Sequence, residues 1–351
     1  MRILLLSAYD TPSHSNWCKG LQQHLPELDW NYITLPPRHF PWRIRGNPIS
    51  WYATCNQELD RSYDIVLATS MVDLATLCGI FPGLGRACRI VYFHENQFAY
   101  PLSKSPKRGT VEPMMVNLYA ALSADKVVFN SEYNLNTFLR GARDLLKKMP
   151  DLSFPGIISE VEKKSWIIPV PVQDFDLESR NNERIPNSLV WNHRWEYDKN
   201  PDDFFQACYY LKSWDVPFKL IVMGQQFRQH PGEFDRAREQ LRDNILVWGE
   251  QSKEDYCSWL GRGEWAVSTA NHEFQGVALM EAVRAGNIPV VPDRLSYPEF
   301  FRARYRFGQN AEDLANFLKE NLQKKLLSPP DLHGFSWKDL APEYRALFQK
   351  C

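Results

Sequence analysis

Nine short apolar runs punctuate the chain, at Ile3–Leu6, Asp64–Ala68, Arg89–Phe93, Lys126–Asn130, Leu189–Trp191, Phe218–Met223, Ile245–Val247, Trp265–Ser268 and Ile288–Val291, with stretches of helical character between them. Runs this short, set apart by helix-length spacers, are the pattern of strands covered on both faces, which points to an α/β architecture with parallel sheets. Trp166–Val172 closes the first set, and the polar stretch Gln173–Asn187 separates it from the second. The reading is two doubly wound domains, 1–172 and 173–325, with ligands bound in a cleft outside the carboxyl ends of the strands. Residues 326–351 form a third part, in which FSWKDLAPEYRALFQK reads as a closing helix with a Ser-x-x-Asp start.

The 351 residues are 44% apolar and 24% charged, enough to build two cores. The net charge of −1 divides into +3 over residues 1–172 (18 Lys+Arg against 15 Asp+Glu) and −4 over the remainder (23 against 27). That asymmetry does not by itself mark a nucleic-acid-binding protein, but it makes the first half the one to meet a polyanion. The seven cysteines show no Cys-x-x-Cys pair and no His spacing suited to zinc, and their number is odd; reduced thiols in a cytoplasmic setting, with no metal site, is the simplest reading. MRILLLSAYD reads as a first buried strand rather than a leader, and no segment is apolar over a membrane-spanning length.

The chemistry concentrates where the runs end. In NHEFQGVALMEAVRAGNIPVVP, Glu273 and Glu281 stand eight residues apart around Gly276. A glycine there permits close backbone approach, and the free N–H groups of Val277 and Ala278 at a helix start can hold a diphosphate. Glu281, one turn on, can accept from a ribose diol, and Glu273 can meet sugar hydroxyls. In NHRWEYDKNP, Arg194 and Lys199 precede a helix that Pro201 can begin, and two cations there neutralise a departing nucleoside diphosphate as a metal would. Gly224 with Gln225, and Gly249, end two further runs as the floor of a nucleotide pocket.

In the first half, HENQFAYP puts His94, Glu95 and Asn96 at a strand's carboxyl end, and YDTPSHSNW puts Ser13 and His14 in the first turn. Arg38, His39, Trp42, Arg43 and Arg45 interleave cations with aromatics, a composition suited to phosphates and a stacked base. Ser131 reads as a helix cap, and Ser103–Thr110 as a basic loop.

Taken in order, His94, Arg194, Lys199, Glu273 and Glu281, together with SADKVVFNSEYN and FSWKDLAPEY, resemble the GT-B retaining glycosyltransferases of the E-x7-E kind, over essentially the whole chain. LPPRHFPWRIRGNPISWY and YFHENQFAYP more narrowly resemble the tRNA-queuosine mannosyltransferases. The resemblance implies two Rossmann-like domains facing a cleft, with the C-terminal helix packing back on the first. It also implies transfer of mannose from GDP-mannose to queuosine in the anticodon of a tRNA of the tRNA-Asp type, without metal or membrane. Arg194 and Lys199 would hold the diphosphate, Glu281 the ribose, Glu273 the hexose and His94 the sugar from the opposite domain. The chain departs from the family pattern at TPSHSNW, which lacks the paired glycines of the first turn. Two other readings stay open: the same chemistry on a lipid-linked or other glycan acceptor, and a nucleotide- or RNA-binding protein without turnover.

Overall fold

The computed structural model describes residues 1–100, 111–148, 156–173, 183–227 and 230–351. The basic residues Lys104, Lys107 and Arg108 of the expected loop Ser103–Thr110 lie outside them. The chain divides into two compact units, Met1–Pro171 with Trp337–Cys351, and Val172–Ser336.

The first unit holds a six-stranded sheet of order β2 (Asp29–Thr34), β1 (Arg2–Ser7), β3 (Ile65–Thr69), β4 (Cys88–Phe93), β5 (Lys126–Phe129) and β6 (Ser165–Ile167). Every neighbouring pair is parallel. The second unit repeats the plan with β12 (Arg306–Phe307), β11 (Ile288–Pro292), β10 (Trp265–Val267), β7 (Ser188–Trp191), β8 (Lys219–Met223) and β9 (Ile245–Gly249), again all parallel. Both are doubly wound, and the strand order reverses between β1 and β3 in one and between β7 and β10 in the other. Ligands of such sheets settle at those switch points.

The nine apolar runs correspond to nine strands; the inner ones are buried on both faces as parallel strands require, while β9, at a sheet edge, leaves Leu246 exposed. The sequence pattern missed β2 and β12 and caught β6 only as the start of the closing segment Trp166–Val172. In β2 only Ile33 is fully buried, and β6 and β12 have three and two residues, too few for any period to register.

The closing helix, Trp337–Gln349, belongs to the first unit and packs on the helix Pro12–His24. Residues 326–336, grouped with it on sequence, fall instead in the second unit, where Val172 N–H donates to the Phe335 carbonyl at 2.7 Å. Trp17 Nε1 donates to the Tyr344 hydroxyl at 3.0 Å, and that hydroxyl donates to the Pro169 carbonyl at 3.0 Å, so both edges of the buried phenol are satisfied. Trp337 stacks on His24 and closes over Gly20, where a Cβ would collide with the indole.

The cysteine reading needs correction. Cys88 and Cys351 are joined in a disulfide, while Cys18, Cys55, Cys78, Cys208 and Cys257 are free. The return of the closing helix brings the last residue alongside the start of β4, with the two Cα atoms 5.7 Å apart, a proximity that spacing in the chain does not reveal. Among the described residues, no helix is long and apolar enough to cross a membrane.

Gly20→Ala should overpack the contact with Trp337 and lower the stability of the first unit by about 1–3 kcal/mol, read from thermal or urea unfolding. Combined with Trp337→Leu, which removes the ring that the methyl meets, the loss should be smaller than the sum of the two single losses. Strict additivity would refute the steric account.

Candidate functional site

The carboxyl ends of β7 and β10 carry a dense, buried polar cluster. Lys199 is buried, and its Nζ donates to the His272 carbonyl at 2.9 Å and to Glu273 Oε2 at 3.2 Å, with Asp198 Oδ2 at 3.3 Å. Burial opposes its charge, but the two carboxylates outweigh that and raise its pKa. Burial would likewise push the Glu273 carboxyl up; the charge of Lys199 and its hydrogen bond hold it down at about 2. The two form an ionised buried pair. His193, buried next to Lys199, is pushed down to about 4 by desolvation and then by the ammonium, and so is neutral at physiological pH.

Arg194 is different. Its guanidinium is half exposed, and Nη1 lies 2.8 Å from Glu196 Oε2. The two cations paired by sequence therefore divide their tasks, one locked into the scaffold and the other on the surface of the site.

The glycines account for the local backbone. Gly224, at φ 142°, ends β8 against the loop after β7, where a Cβ would collide with the His193 carbonyl. Gln225 then accepts from the Trp195 N–H at 3.0 Å. Both residues thus shape the loop bearing Arg194. Gly249 closes β9 at φ 102°, where a Cβ would lie 3.1 Å from Gln226 Nε2. Gly276, at φ 84°, is the N-cap of the helix Val277–Arg284 and turns the chain from Glu273 into it. Val277 and Ala278 open the first turn, and Glu281 follows, partly buried. Burial pushes the Glu281 carboxyl up to about 7, against the opposing hydrogen bond from Tyr256 and the charge of Lys253.

In the first unit, three strand ends meet near the switch point. His14, in the helix after β1, has Nε2 3.2 Å from Glu95 Oε2, and Ser70, after β3, donates to Glu95 Oε1 at 2.8 Å. Burial would raise Glu95, but the His14 charge and these hydrogen bonds depress it to about 2. Glu95 in turn outweighs the burial of His14 and raises its pKa. His94 lies against that ring, centroids 4.3 Å apart, and is driven well below its ordinary value by burial and by the neighbouring His14 charge. Neither ring nitrogen of His94 has a hydrogen-bond partner among the described residues. Ser13 stands at the helix start, 3.1 Å from the Thr11 hydroxyl.

Two residues read as binding groups have structural work instead. Asn96 is buried, donating to Asn134 Oδ1 at 2.8 Å and Thr137 Oγ1 at 3.0 Å while accepting from the N–H groups of Phe98 and Ala99. Arg43 is also buried, donating to the Pro36 carbonyl and Ser50 Oγ. The segment bearing it is a helix, Phe40–Thr54, and at 3.6 residues per turn its side chains divide between a buried face and an exposed one. On the outer face stand Arg45, paired with Asp73, and Trp42, 53% exposed with its indole laid over Gly46. Arg38 precedes the helix and is exposed.

This architecture is shared. The catalytic domain of starch synthase IV from Arabidopsis thaliana, solved with ADP and acarbose, superposes with a TM-score of 0.69 at 11% identity, covering 100% of this chain and 99% of that one. Residues 2–172 match the family model of the N-terminal domain of tRNA-queuosine alpha-mannosyltransferase, and residues 173–328 that of the group 1 glycosyl transferases. The chain is a GT-B glycosyltransferase. A tRNA-queuosine alpha-mannosyltransferase of Drosophila melanogaster is 29% identical over 99% of this chain and 96% of its own length. A GDP-mannose:cellobiosyl-diphosphopolyprenol alpha-mannosyltransferase of Xanthomonas campestris is 23% identical over 39% of this chain and 36% of its own.

Several residues of these two clusters, one in each unit, escaped the sequence reading. Asp198 sits inside the quoted NHRWEYDKNP, where a carboxylate directly before the lysine was a usable signal. Ser70, Arg294 and Tyr256 carried none, because only the fold brings them to the strand ends. Arg294 donates to the carbonyls of Thr269 and Ala270 and steadies the loop that leads to Glu273.

Lys199→Met strands Asp198 and Glu273 as buried anions and should cost the glycosyltransferase about 3–5 kcal/mol of stability. Arg194→Ala, at an exposed pair, should change stability by less than about 1 kcal/mol. Urea unfolding beside turnover would separate the two roles, since both variants should lose about 10²–10³-fold in rate.

Proposed function

We propose that this enzyme transfers mannose from GDP-mannose, with retention, to queuosine in a tRNA anticodon. The observation that carries the reading is the likeness to a tRNA-queuosine alpha-mannosyltransferase along nearly the whole of both chains. The match of the first half to that family's own N-terminal model supports the acceptor in particular.

The second unit supplies the donor chemistry in this reading. Arg194 meets the diphosphate, which gains negative charge as the glycosidic bond breaks, and a cation placed where charge develops lowers the barrier. Lys199 contributes its field from below while fixing Glu273, whose ionised carboxylate accepts from hexose hydroxyls. Glu281 accepts from the ribose diol. Because these two cations take over the electrostatic task of a metal, turnover proceeds without one. The first unit supplies the RNA contacts, with Arg38 as a phosphate ligand and the exposed Trp42 indole as a stacking surface. A tRNA acceptor is consistent with a cytoplasmic enzyme.

Incubating the enzyme with queuosine-containing tRNA and GDP-mannose in EDTA, followed by mass spectrometry of the digested nucleosides, should show queuosine heavier by one hexose residue. Transfer to a polyprenyl-linked glycan but not to tRNA would replace this reading with the glycan one.

Arg38→Ala should weaken tRNA binding and flatten its salt dependence by a slope of about 0.7–0.9, one phosphate contact. Trp42→Ala should cost about 1–3 kcal/mol in binding with the slope unchanged. Arg43→Ala should act on stability rather than on the slope, since that side chain is turned inward. Identical salt slopes in wild type and Arg38→Ala would remove the phosphate role.

A further inference from the structure

Tyr256 belongs to none of the motifs read from sequence, yet its hydroxyl lies 2.9 Å from Glu281 Oε2. It sits in the helix Lys253–Arg262, which packs beside the helix Val277–Arg284. The direction of the hydrogen bond is fixed by a third residue. Asn192, buried just past β7, has its Nδ2 2.7 Å from the Ala278 carbonyl. A carbonyl only accepts, so the amide must present its nitrogen on that side. The second proton of the same Nδ2 goes to the Tyr256 oxygen at 2.9 Å. With an N–H already donating to it, the phenol oxygen is the acceptor in that contact, and its single proton is left for Glu281.

We propose that Tyr256, oriented by Asn192, is a positioning residue that holds Glu281 as an ionised acceptor for the ribose diol of the nucleotide sugar. The proposal rests on reading Glu281 as the ribose carboxylate. The relay is built into the first turn of the helix that carries Glu281, because Ala278 is its anchor. It fixes the carboxylate in two respects. Oε2 is tied to the phenol, which sets the rotation of the group and leaves Oε1 with both lone pairs for ribose. A hydrogen bond to the charged form also favours ionisation.

The second effect matters because the carboxyl is poised near neutrality. Burial pushes it up, and Tyr256 and Lys253, both from the same neighbouring helix, are the groups that push back. A protonated Glu281 loses acceptor capacity on the oxygen that takes the proton, so nucleotide affinity falls as the pH drops through the carboxyl's pKa. Removing the phenol proton raises that pKa and moves the loss of affinity to higher pH.

The test is calorimetry of the full chain with the tighter-binding of GDP and UDP from pH 6 to 9. Wild type should bind with a midpoint near pH 7. Tyr256→Phe should shift the midpoint up by about one unit and weaken binding at pH 7 up to about tenfold, with the curves converging toward pH 9. KM for the donor should rise while kcat at saturating donor and high pH stays close to wild type. Asn192→Ala keeps the phenol and releases its orientation, so its midpoint should move the same way by less; it also serves if Tyr256→Phe folds poorly. A Tyr256→Phe profile that overlays wild type at every pH overturns the proposal. If Glu281→Gln binds nucleotide as wild type does, the ribose assignment fails first, and the role of Tyr256 with it.

Discussion

A single buried ammonium organises the second unit's switch point. Lys199 comes from the loop after β7 and reaches the loop after β10, where the His272 carbonyl and Glu273 receive it. Backbone ties run the same way, from the Asn271 N–H to the Asp198 carbonyl at 2.8 Å and from Thr269 Oγ1 to the carbonyls of Lys199 and Asn200. Two loops that would otherwise move separately are thereby held as one surface. A charge buried with its counter-charges contributes little net stability, and removing one member is costly. The cluster is therefore better understood as a device for fixing geometry than as a stabilising contact.

That device separates two glutamates of identical chemistry. Glu273 lies against Lys199 and is held at about 2; Glu281, eight residues on, has only the Tyr256 hydrogen bond and the charge of Lys253 against its burial and is pushed to about 7. The difference comes from surroundings alone. One carboxylate is permanently charged and suited to hydroxyls beside a reacting sugar, while the other responds to its hydrogen-bond donors. The first unit shows a similar contrast, with Glu95 raising the pKa of His14 against its burial while burial and the His14 charge hold His94 well below its ordinary value.

The strands were legible because parallel sheets demand continuous apolar runs, and Ile3–Leu6 or Ile288–Val291 can hardly be anything else. Edge strands such as Asp29–Thr34 escape this demand and escaped notice. The E-x7-E segment was legible for another reason, since Gly276 and the helix after it are local features. Which way a side chain faces was not. Arg43 and Arg45 are two residues apart on one helix, and one is buried while the other is not. Asn96, beside Glu95, bonds Asn134 and Thr137, about 40 positions away, and Tyr256 reaches Glu281 across 25. Partners at such distances leave no period in the chain, and only packing assigns them.

The first unit takes its closing helix from a stretch of chain that follows the second, and this orders events during synthesis. A ribosome delivers β1 to β6, then all of Val172–Ser336, and only then the Trp337–Gln349 helix that covers Gly20 and satisfies Trp17 through Tyr344. Domains tend to fold as units while the chain emerges. The later-made unit is contiguous and can be finished first, whereas the earlier one must wait with the Trp17 surface uncovered, a window in which a chaperone has something apolar to hold.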